Sequence, residues 1–468
     1  MAGARHMSGF ASMTLSDCAR QLGAALFLPN SNQGAAFDGV STDSRRILPG
    51  ELFVAIKGEN FDGHQYVAGA LARGAAAAVV AKIQDVPIAQ IVVGDTLWAY
   101  AQLAQFWRSR FSLPVIALTG SNGKTTVKEM LRAILAAHCG DSNSVLATEG
   151  NLNNHIGVPQ MLLRLNTHHR YAVLEMGMNH LHEIEYLTRL AVPNVALLIM
   201  AGTAHIGELG SREAIAQAKG EIFAGLRDDG IACINADDPF SGYWHGLVGT
   251  ESNRRVVAFG VHAKADVRGQ WLDDGCILFA DGKSVRVKLN VMGEHNQRNA
   301  LAAAAAAYAV GVPLAVIQHG LQTFTGVDGR LRTYAGLESC TVIDDTYNAN
   351  PDSMRAAIAV LAAKKGKRLL VLGDMGELGA DSESMHTEVG RAAKAAGIDA
   401  LHAVGESAKN YVAAFGAGAS HHASVEALIA ALKNQISHDT TVLVKGSRFM
   451  KMERVVEKIA PDYRKGNH

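Results

Sequence analysis

The chain has 468 residues, of which 48% are hydrophobic and 19% are charged. This composition predicts a folded protein of roughly three domains, each of about 100–200 residues, and excludes a disordered chain. Lysine plus arginine equals aspartate plus glutamate, at 44 each. Such a balanced charge argues against a nucleic-acid or anionic-membrane binder, so any negative ligand must be held by local groups.

The five cysteines are scattered, with no CxxC or Cys/His cluster. That pattern argues against a disulfide framework or a thiolate zinc site, and it favours a reducing compartment, the cytoplasm. The longest apolar stretch, residues 300–317, is interrupted by Gly311 and Pro313. It therefore predicts a buried helix followed by a turn, and no membrane insertion is expected.

The first predicted domain covers residues 13–111. The opening seven residues are typical of a cloning leader, so residues 1–12 are excluded from fold reasoning. Short strands are predicted at 37–42, 52–56 and 91–93. A helix is predicted over 96–110, because its apolar side chains recur at spacings of three and four.

The second predicted domain covers residues 112–328. Apolar strand-like runs at 115–118, 172–174, 195–200 and 231–234 alternate with helical patterns. This alternation predicts a mostly parallel sheet with helices on both faces. Closely spaced strands at 256–259, 277–280 and 285–289 predict an antiparallel annex, followed by a helix over 299–309.

The third predicted domain covers residues 329–468. Strands are predicted at 342–344, 369–372, 401–404 and 442–444, alternating with helices at 351–363, 384–396, 425–435 and 449–459. This pattern indicates a doubly wound, Rossmann-like domain. The predicted fold class is therefore α/β with three domains: a small α/β domain, a central P-loop ATPase-like sheet and a Rossmann-like domain.

The strongest chemical signal is the string TGSNGKTT at residues 119–126, between a predicted strand and a predicted helix. Its glycines let backbone N–H groups surround a phosphate, and the helix N-terminus adds positive charge. Lys124 would reach the outer phosphates and Thr125 would offer its hydroxyl to Mg²⁺. The loop has two residues between its glycines where the general P-loop has four, so the strand–loop–helix context carries the prediction.

Glu175 and His205 follow two further predicted strands. Ligands of open α/β sheets bind outside the carboxyl ends of the strands, so both residues should face the phosphate loop. Glu175 offers hard oxygen ligands suited to Mg²⁺. A histidine alone in such a loop is more often a hydrogen-bonded structural residue, and Lys219 alone would be a solvated helix lysine. Together the three strands indicate a metal–phosphate site.

These motifs, with those at 150–154, 175–177, 202–205 and 295–299, resemble the Mur ligase family over about residues 41–448. Members of that family are ATP-dependent ligases of bacterial cell-wall precursors. The resemblance implies catalysis by Lys124, Glu175, His205 and Lys219. It implies two Mg²⁺ ions bound by Thr125, Glu175, His205 and Lys219 carbamylated by CO₂. The ATP-binding residues it implies are Gly120, Asn122, Gly123, Lys124, Thr125, Thr126, Asn296, Asn299, Arg330 and Asp345.

The strings at 344–351, 373–379 and 445–448 are similar to the branch of the family that adds D-alanyl-D-alanine. Those at 41–45 and 57–63 are similar to the domain that holds the UDP-sugar end of the other substrate. The resemblance implies an acyl-phosphate mechanism in a cytoplasmic monomer, with UDP-N-acetylmuramoyl-tripeptide and D-alanyl-D-alanine as substrates. The substrate-binding residues it implies are Ser44, Arg45, Asn151, Asn154, Tyr347, Asn348 and Asn350. Met178 departs from the family pattern, which has a smaller residue there, and it touches no expected ligand.

Other interpretations remain open at this point. One is another Mur ligase or a folylpolyglutamate-synthetase-like ligase, against which the separate first domain and residues 347–351 argue. A second is a nucleotide-binding regulator without catalysis, against which the joint presence of Lys124, Glu175, His205 and Lys219 argues. A third is a plain phosphotransferase. The third residue of the tripeptide, diaminopimelate or lysine, is left open by the sequence.

Overall fold

The computed structural model describes residues 13–29, 36–58, 61–249, 253–261 and 264–463. The predicted leader at 1–12 and two residues of the 57–63 string, Glu59 and Asn60, lie outside the described residues. Three sheets organise the rest of the chain, with five, nine and six strands. The predicted α/β class is confirmed.

The first sheet has the strand order β1-β5-β4-β3-β2, parallel except for β1. Its strands are β1 (Ala25–Phe27), β2 (Val40–Ser41), β3 (Leu52–Val54), β4 (Ala77–Val80) and β5 (Ala89–Val92). The helices of this region are α1 (Leu15–Gln21), α2 (Val67–Ala72) and α3 (Thr96–Ser109). Asp95 caps α3 by accepting hydrogen bonds from two backbone N–H groups of its first turn, which starts the helix where the sequence predicts it.

The central sheet has the order β14-β13-β12-β11-β10-β9-β6-β8-β7. Its strands are β6 (Val115–Thr119), β7 (Val145–Ala147), β8 (Tyr171–Glu175), β9 (Val195–Leu198), β10 (Ile231–Asn235), β11 (Arg255–Gly260), β12 (Val267–Leu272), β13 (Gly275–Ala280) and β14 (Lys283–Lys288). The helices are α4 (Lys124–Cys139), α5 (Gly157–Leu162), α6 (Glu183–Ala191), α7 (Ile206–Leu209), α8 (Arg212–Gly220), α9 (Ser241–Val248), α10 (Glu294–Ala309) and α11 (Leu314–Thr323).

The antiparallel annex differs from its prediction. Strand β11, assigned to the annex from sequence, pairs parallel to β10 and so belongs to the main sheet. The annex is made of β12, β13 and β14, which pair antiparallel with one another. The sequence did not reveal β12 because Gly269 interrupts its apolar pattern; a Cβ there would lie 2.8 Å from the ring of Trp271.

The third sheet has the order β15-β16-β20-β17-β18-β19, parallel except for β15. Its strands are β15 (Arg332–Ala335), β16 (Thr341–Asp345), β17 (Lys367–Gly373), β18 (Ala400–Val404), β19 (Ala419–His422) and β20 (Thr440–Lys445). The helices are α12 (Pro351–Ala362), α13 (Ser382–Ala395), α14 (Ala408–Phe415), α15 (Val425–Lys433) and α16 (Glu453–Ile459). This is the doubly wound arrangement expected from sequence, with β15, β19 and α14 added.

The first sheet region is packed tightly on the central one through α3. One continuous apolar core runs from the first sheet across α3 to one face of the central sheet. The indole Nε1 of Trp107 donates to the carbonyl oxygen of Leu165 at 2.9 Å. The guanidinium Nε of Arg108 donates to the carbonyl oxygen of Ala191 at 3.0 Å, at the end of α6. The third sheet, by contrast, has apolar cores of its own.

Arg108 is only 6% exposed, and burial lowers its pKa to about 10. Two of its hydrogen bonds go to carbonyl oxygens at the negative end of α6 and a third goes to the carbonyl oxygen of Phe111, and these oxygens stabilise the positive charge. No helix among the described ranges is long and apolar enough to cross a membrane.

Changing Arg108 to Met should lower the free energy of unfolding by about 1–3 kcal/mol, since buried carbonyl oxygens lose their charged donor. Urea denaturation measures this change. Arg46→Met, an exposed arginine of the same region, is the control and should leave the denaturation midpoint unchanged. Equal midpoints for both variants would contradict the joining role of Arg108.

Candidate active site

The loop between β6 and α4 is shaped by close backbone contacts. A Cβ at Gly120 would lie 2.9 Å from Cβ of Ile199, and Gly123 has a left-handed backbone with φ of 83°. The loop ends at α4, a helix of 16 residues whose first backbone N–H groups are directed toward the loop. The Lys124 Nζ donates to the carbonyl oxygen of Gly120 at 2.8 Å, and desolvation lowers the pKa of this lysine. The loop therefore has the geometry of an anion site.

Glu175 ends β8 beside this loop and joins three segments. One carboxylate oxygen accepts a hydrogen bond from Thr125 Oγ1 at 2.9 Å, and the other accepts one from Asn153 Nδ2 at 2.8 Å. The backbone N–H of Glu175 donates to Thr148 Oγ1 at 2.9 Å. Glu175 is 3% exposed, so its side chain is held in one place by the surrounding contacts.

The donor set at Glu175 and Thr125 fits Mg²⁺, which prefers carboxylate and hydroxyl oxygens completed by water and phosphate oxygens. Within the described residues, no group of three or more His, Cys, Asp or Glu side chains could hold a metal ion by itself. A metal here would therefore share its coordination with a bound phosphate, as Mg²⁺ commonly does in nucleotide sites.

Lys219 on α8 is not the solvated lysine that its sequence context alone indicates. It is 1% exposed. The pKa of Lys219 lies well below its ordinary value. Burial is the larger cause, and the nearby positive charge of Lys124 lowers the pKa further. The amine is therefore biased toward its neutral, nucleophilic form.

His205 and Glu377 meet across the cleft between the second and third sheets. His205 Nδ1 lies 3.0 Å from a carboxylate oxygen of Glu377, and this contact is the main cause of a lowered Glu377 pKa. Both residues have left-handed backbones, with φ of 64° and 61°. Such a backbone costs a non-glycine residue about 1–2 kcal/mol, which the surrounding contacts must offset.

Further contacts fasten the third sheet region to the phosphate loop and to the loop before α7. Thr203 donates to one oxygen of Asp352 from both its backbone N and its Oγ1, each at 2.8 Å. Asn350 Nδ2 donates to Asn122 Oδ1 at 2.8 Å. The backbone N of Gly207 donates to the carbonyl oxygen of Glu377 at 3.1 Å. The two regions are therefore in a closed arrangement.

Arg330 reaches the phosphate loop from the start of the third region. Its Nη2 donates to Thr125 Oγ1 at 2.9 Å, and its guanidinium lies 4.3 Å from the ring centre of Tyr347. Its Nε is buried without a hydrogen-bond partner among the described residues, which suits a site that receives an anion. Asp345 pairs with Lys445 at 2.7 Å, and Lys445 also donates to the carbonyl oxygen of Asn348 at 2.8 Å.

These residues surround a cavity of about 1100 Å³ between the second and third sheets. Fourteen of the twenty residues predicted from sequence line it. Among the others, Thr125 contacts the lining residue Glu175, and Gly120 contacts Lys124. The remaining predicted residues outside the lining are Asn151, Lys219, Ser44 and Arg45.

Ser44 and Arg45 lie in the first sheet region. The guanidinium of Arg45 pairs with Asp43 through two contacts of 2.9 Å, and Arg45 is exposed. Asn296 and Asn299 of α10 hydrogen-bond to each other at 3.2 Å at the base of the cavity. A Cβ at Gly123 would lie 2.3 Å from Asn299 Oδ1, so this amide packs directly on the phosphate loop.

Several site residues were missed from sequence: Thr148, Asn153, Asp352, Glu377 and Lys445. Asn153, Asp352, Glu377 and Lys445 lie inside or between the sequence strings named above, and this position was the signal that could have identified them. Thr148 precedes such a string and gave no signal of its own. What the sequence did not reveal was the three-dimensional pairing of Glu377 with His205 and of Asp352 with Thr203.

The fold and site define an α/β protein with three sheets, in which a phosphate loop of the central region lines a cavity shared with the third. Three family models match the chain: the Mur ligase family, catalytic domain, over residues 36–102, the Mur ligase middle domain over 118–307, and the Mur ligase, glutamate ligase domain over 329–448. The chain is 44% identical over 437 residues to the UDP-N-acetylmuramoyl-tripeptide–D-alanyl-D-alanine ligase of Escherichia coli K12, covering 91% of this chain and 94% of that one. The chain belongs to the Mur ligase family.

Solved structures agree. The chain is similar to MurF from Acinetobacter baumannii, with a TM-score of 0.87, 37% identity and coverage of 95% of this chain and 98% of that one. It is also similar to a MurF ligase from Thermotoga maritima in complex with ADP, with a TM-score of 0.79, 28% identity and coverage of 90% and 96%. The expected class, an ATP-dependent ligase that forms a C–N bond, is thereby confirmed.

Changing Gly207 to Ala should separate the closed domains. An added Cβ would lie 2.5 Å from the backbone N of Gly379 and 2.7 Å from the carbonyl oxygen of Glu377. We expect a larger radius of gyration by small-angle X-ray scattering, and ADP release reduced by about 100-fold because the site residues are displaced. Gly246→Ala, where the added Cβ meets nothing within 4 Å, is the control. An unchanged radius and rate for Gly207→Ala would contradict the closed arrangement as the active one.

Proposed function

We propose that the chain joins D-alanyl-D-alanine to the terminal carboxylate of UDP-N-acetylmuramoyl-tripeptide, using ATP, in peptidoglycan precursor synthesis. The observation that carries this proposal is the convergence on Thr125 of Glu175 from the central sheet and Arg330 from the third region. It is supported by relatives named as this ligase, including those of Escherichia coli at 44% and Haemophilus influenzae at 39% identity. The folylpolyglutamate-synthetase-like, phosphotransferase and regulatory alternatives are not favoured.

In the proposed reaction, a carboxylate oxygen of the tripeptide attacks the γ-phosphorus of ATP, and ADP leaves. The α-ammonium group of the dipeptide first gives up one proton to solvent. Its amine nitrogen then attacks the acyl carbon, the bond from that carbon to the phosphate oxygen breaks, and the nitrogen passes a second proton to the departing phosphate. Both first-step reactants are anionic, so they repel until positive groups offset their charge. Lys124 of the phosphate loop and Arg330, which reaches the same loop from the third region, supply that charge.

Bound Mg²⁺ would neutralise the phosphate oxygens and polarise the reacting groups. We propose that Thr125 and Glu175 hold one ion, because both offer oxygen atoms beside the phosphate loop. We propose that Glu175, His205 and a carbamylated Lys219 hold a second. The burial of Lys219 supports the carbamate, since a neutral amine adds to CO₂ and releases one proton, which leaves an anionic group in place of a cation.

We also propose a binding region for each part of the two substrates. We propose that the first domain, residues 13–111, binds the UDP end of the substrate through Ser44 and Arg45. The central domain, 112–328, would hold the tripeptide near Asn151 and Asn154.

The third domain, 329–468, would supply the dipeptide site around Tyr347, Asn348 and Asn350. The nucleotide would contact Asn296, Asn299, Arg330 and Asp345. We further propose a monomer in the cytoplasm, a reducing compartment that suits five free cysteines.

The proposed function is tested by measuring ADP release with Mg-ATP, UDP-N-acetylmuramoyl-tripeptide and D-alanyl-D-alanine, omitting each in turn. We expect complete turnover only with all three, and a product whose mass equals that of the tripeptide substrate plus the dipeptide minus water. Product formation with a single amino acid in place of the dipeptide would contradict the substrate assignment. ATP binding without turnover would favour the regulatory alternative.

Changing Lys124 to Ala should reduce ADP release by at least about 100-fold, because the charge that stabilises the transferring phosphoryl group is lost. The measurement is a coupled ADP assay under saturating substrates. Lys82→Ala removes the same charge from an exposed position and serves as the control. Near-normal ADP release by Lys124→Ala would contradict the role of the phosphate loop.

Changing Lys219 to Ala should also reduce turnover by about 100-fold, since one anionic metal ligand would be missing. Added acetate or formate should restore part of the activity by occupying the vacated space with a carboxylate. Lys124→Ala assayed with the same acids should gain nothing. Failure of the acids to restore Lys219→Ala at any concentration would count against the carbamate.

A further inference from the structure

The proposed reaction brings a cationic amine into a cavity built for anions. At neutral pH the dipeptide carries an α-ammonium group, because the usual pKa of an α-amino group is about 7.7–8.0. Its nitrogen must approach the acyl carbon close to Lys124 and Arg330, which repel it. A carboxylate of the protein is needed to hold the ammonium at that place. The inference that follows rests on the proposed function and concerns which carboxylate of the protein binds this ammonium group.

Most carboxylates of the cavity already bind protein donors. Both oxygens of Glu175 are hydrogen-bonded, as described above. One oxygen of Asp352 accepts two hydrogen bonds from Thr203, and the other lies 3.2 Å from Arg355. Asp345 pairs with Lys445, and its side chain is 12% exposed. These groups have little capacity left for a substrate cation.

The acidic residues of the opposite wall are engaged as well. Glu183 accepts hydrogen bonds from the backbone N–H groups of Asn179 and His180. Asp238 accepts them from the backbone N–H groups of Ala201 and Phe240. Asp237 accepts one from Val261. Each of these carboxylates stabilises a loop, and each lies on the central domain, away from the dipeptide side of the cavity.

Glu377 differs from all of them. It lines the cavity from the third domain, and its side chain is 54% exposed. It contacts His205 through one carboxylate oxygen, at 3.0 Å. Lys124 of the phosphate loop lines the same cavity, so the Glu377 carboxylate can meet a ligand bound beside that loop.

The backbone around Glu377 fixes the direction of its side chain. Its φ of 61° lies in the left-handed region, which glycine adopts without strain and glutamate does not. Its carbonyl oxygen accepts the hydrogen bond from Gly207, and Gly379, two residues later, packs on Gly207. A strained and fastened backbone with a half-exposed acidic side chain is the arrangement of a binding group held in place.

We propose that the Glu377 carboxylate binds the α-ammonium group of the incoming dipeptide and so places its nitrogen beside the activated carbonyl carbon. The ligand class is a primary ammonium on the amine substrate. Because Glu377 reaches the cavity only from the third domain, the ammonium site is complete only when that domain is closed on His205.

The test uses two nucleophiles that differ in charge. Hydroxylamine is uncharged at neutral pH and traps the acyl-phosphate as a hydroxamate without an ammonium site. D-alanyl-D-alanine is cationic and needs one. The full-length Glu377→Gln variant keeps the size of the side chain and removes its charge. Glu383→Gln removes the same charge from an exposed position on α13 and is the matched control.

For Glu377→Gln we expect KM for the dipeptide to rise by about tenfold or more, the usual effect of losing a hydrogen bond between charged groups. Hydroxamate formation with ATP and the tripeptide should stay within about twofold of the unchanged chain, as should both readouts for Glu383→Gln. Retained hydroxamate formation also reports that the variant is folded.

An unchanged dipeptide KM in Glu377→Gln would overturn the inference. So would an equal loss with both nucleophiles, because Glu377 would then act on the first step by orienting His205. The unchanged chain is assayed in parallel. If the proposed function were wrong, that chain itself would form no dipeptide product, whereas in both outcomes above it forms the product normally.

Discussion

The contact between Glu175 and Thr125 is the interaction on which the site depends. It ties the end of β8 to the first turn of α4, and the same carboxylate also receives Asn153. Because Glu175 is almost fully buried, moving any of these segments would leave a buried carboxylate or its donors unpaired, which is costly. The phosphate loop is therefore held rigidly on the sheet edge. A rigid, oxygen-rich edge beside Lys124 is suited to binding a metal–nucleotide complex.

The second constraint is that the edge of the central sheet forms only one wall of the cavity, and the third region forms the other. Arg330, Asp352 and Glu377 all come from beyond residue 329 and all contact the central domain. The first region shares an apolar core with the central sheet, whereas the third has cores of its own. The first region is therefore joined to the central one through a shared apolar core, whereas the third meets it through the polar contacts around the cavity. Closure would then exclude water from the acyl-phosphate, which water would otherwise hydrolyse.

The sequence predicted most of the fold because parallel strands flanked by helices leave regular apolar runs, and α3, β6 and β20 lie close to their predicted positions. It missed β12, where a glycine breaks the pattern, and misassigned β11, since pairing direction is set by distant strands. Glu175 and His205, which follow predicted strands, both line the cavity. Lys219 was different: its burial arises from packing between α8 and its neighbours, which no local pattern encodes. Contacts such as His205 with Glu377 join residues far apart in the chain and required the structure.

The central claim is that the tripeptide carboxylate is activated by phosphorylation. It is tested most directly with a tripeptide substrate whose terminal carboxylate carries ¹⁸O in both oxygens. After complete turnover with D-alanyl-D-alanine, the released phosphate is analysed by mass spectrometry. The account predicts one ¹⁸O atom in each phosphate, because the bridging oxygen of the acyl-phosphate leaves with phosphorus. Unlabelled phosphate would contradict it, since the carboxylate oxygen would then never have been bonded to phosphorus.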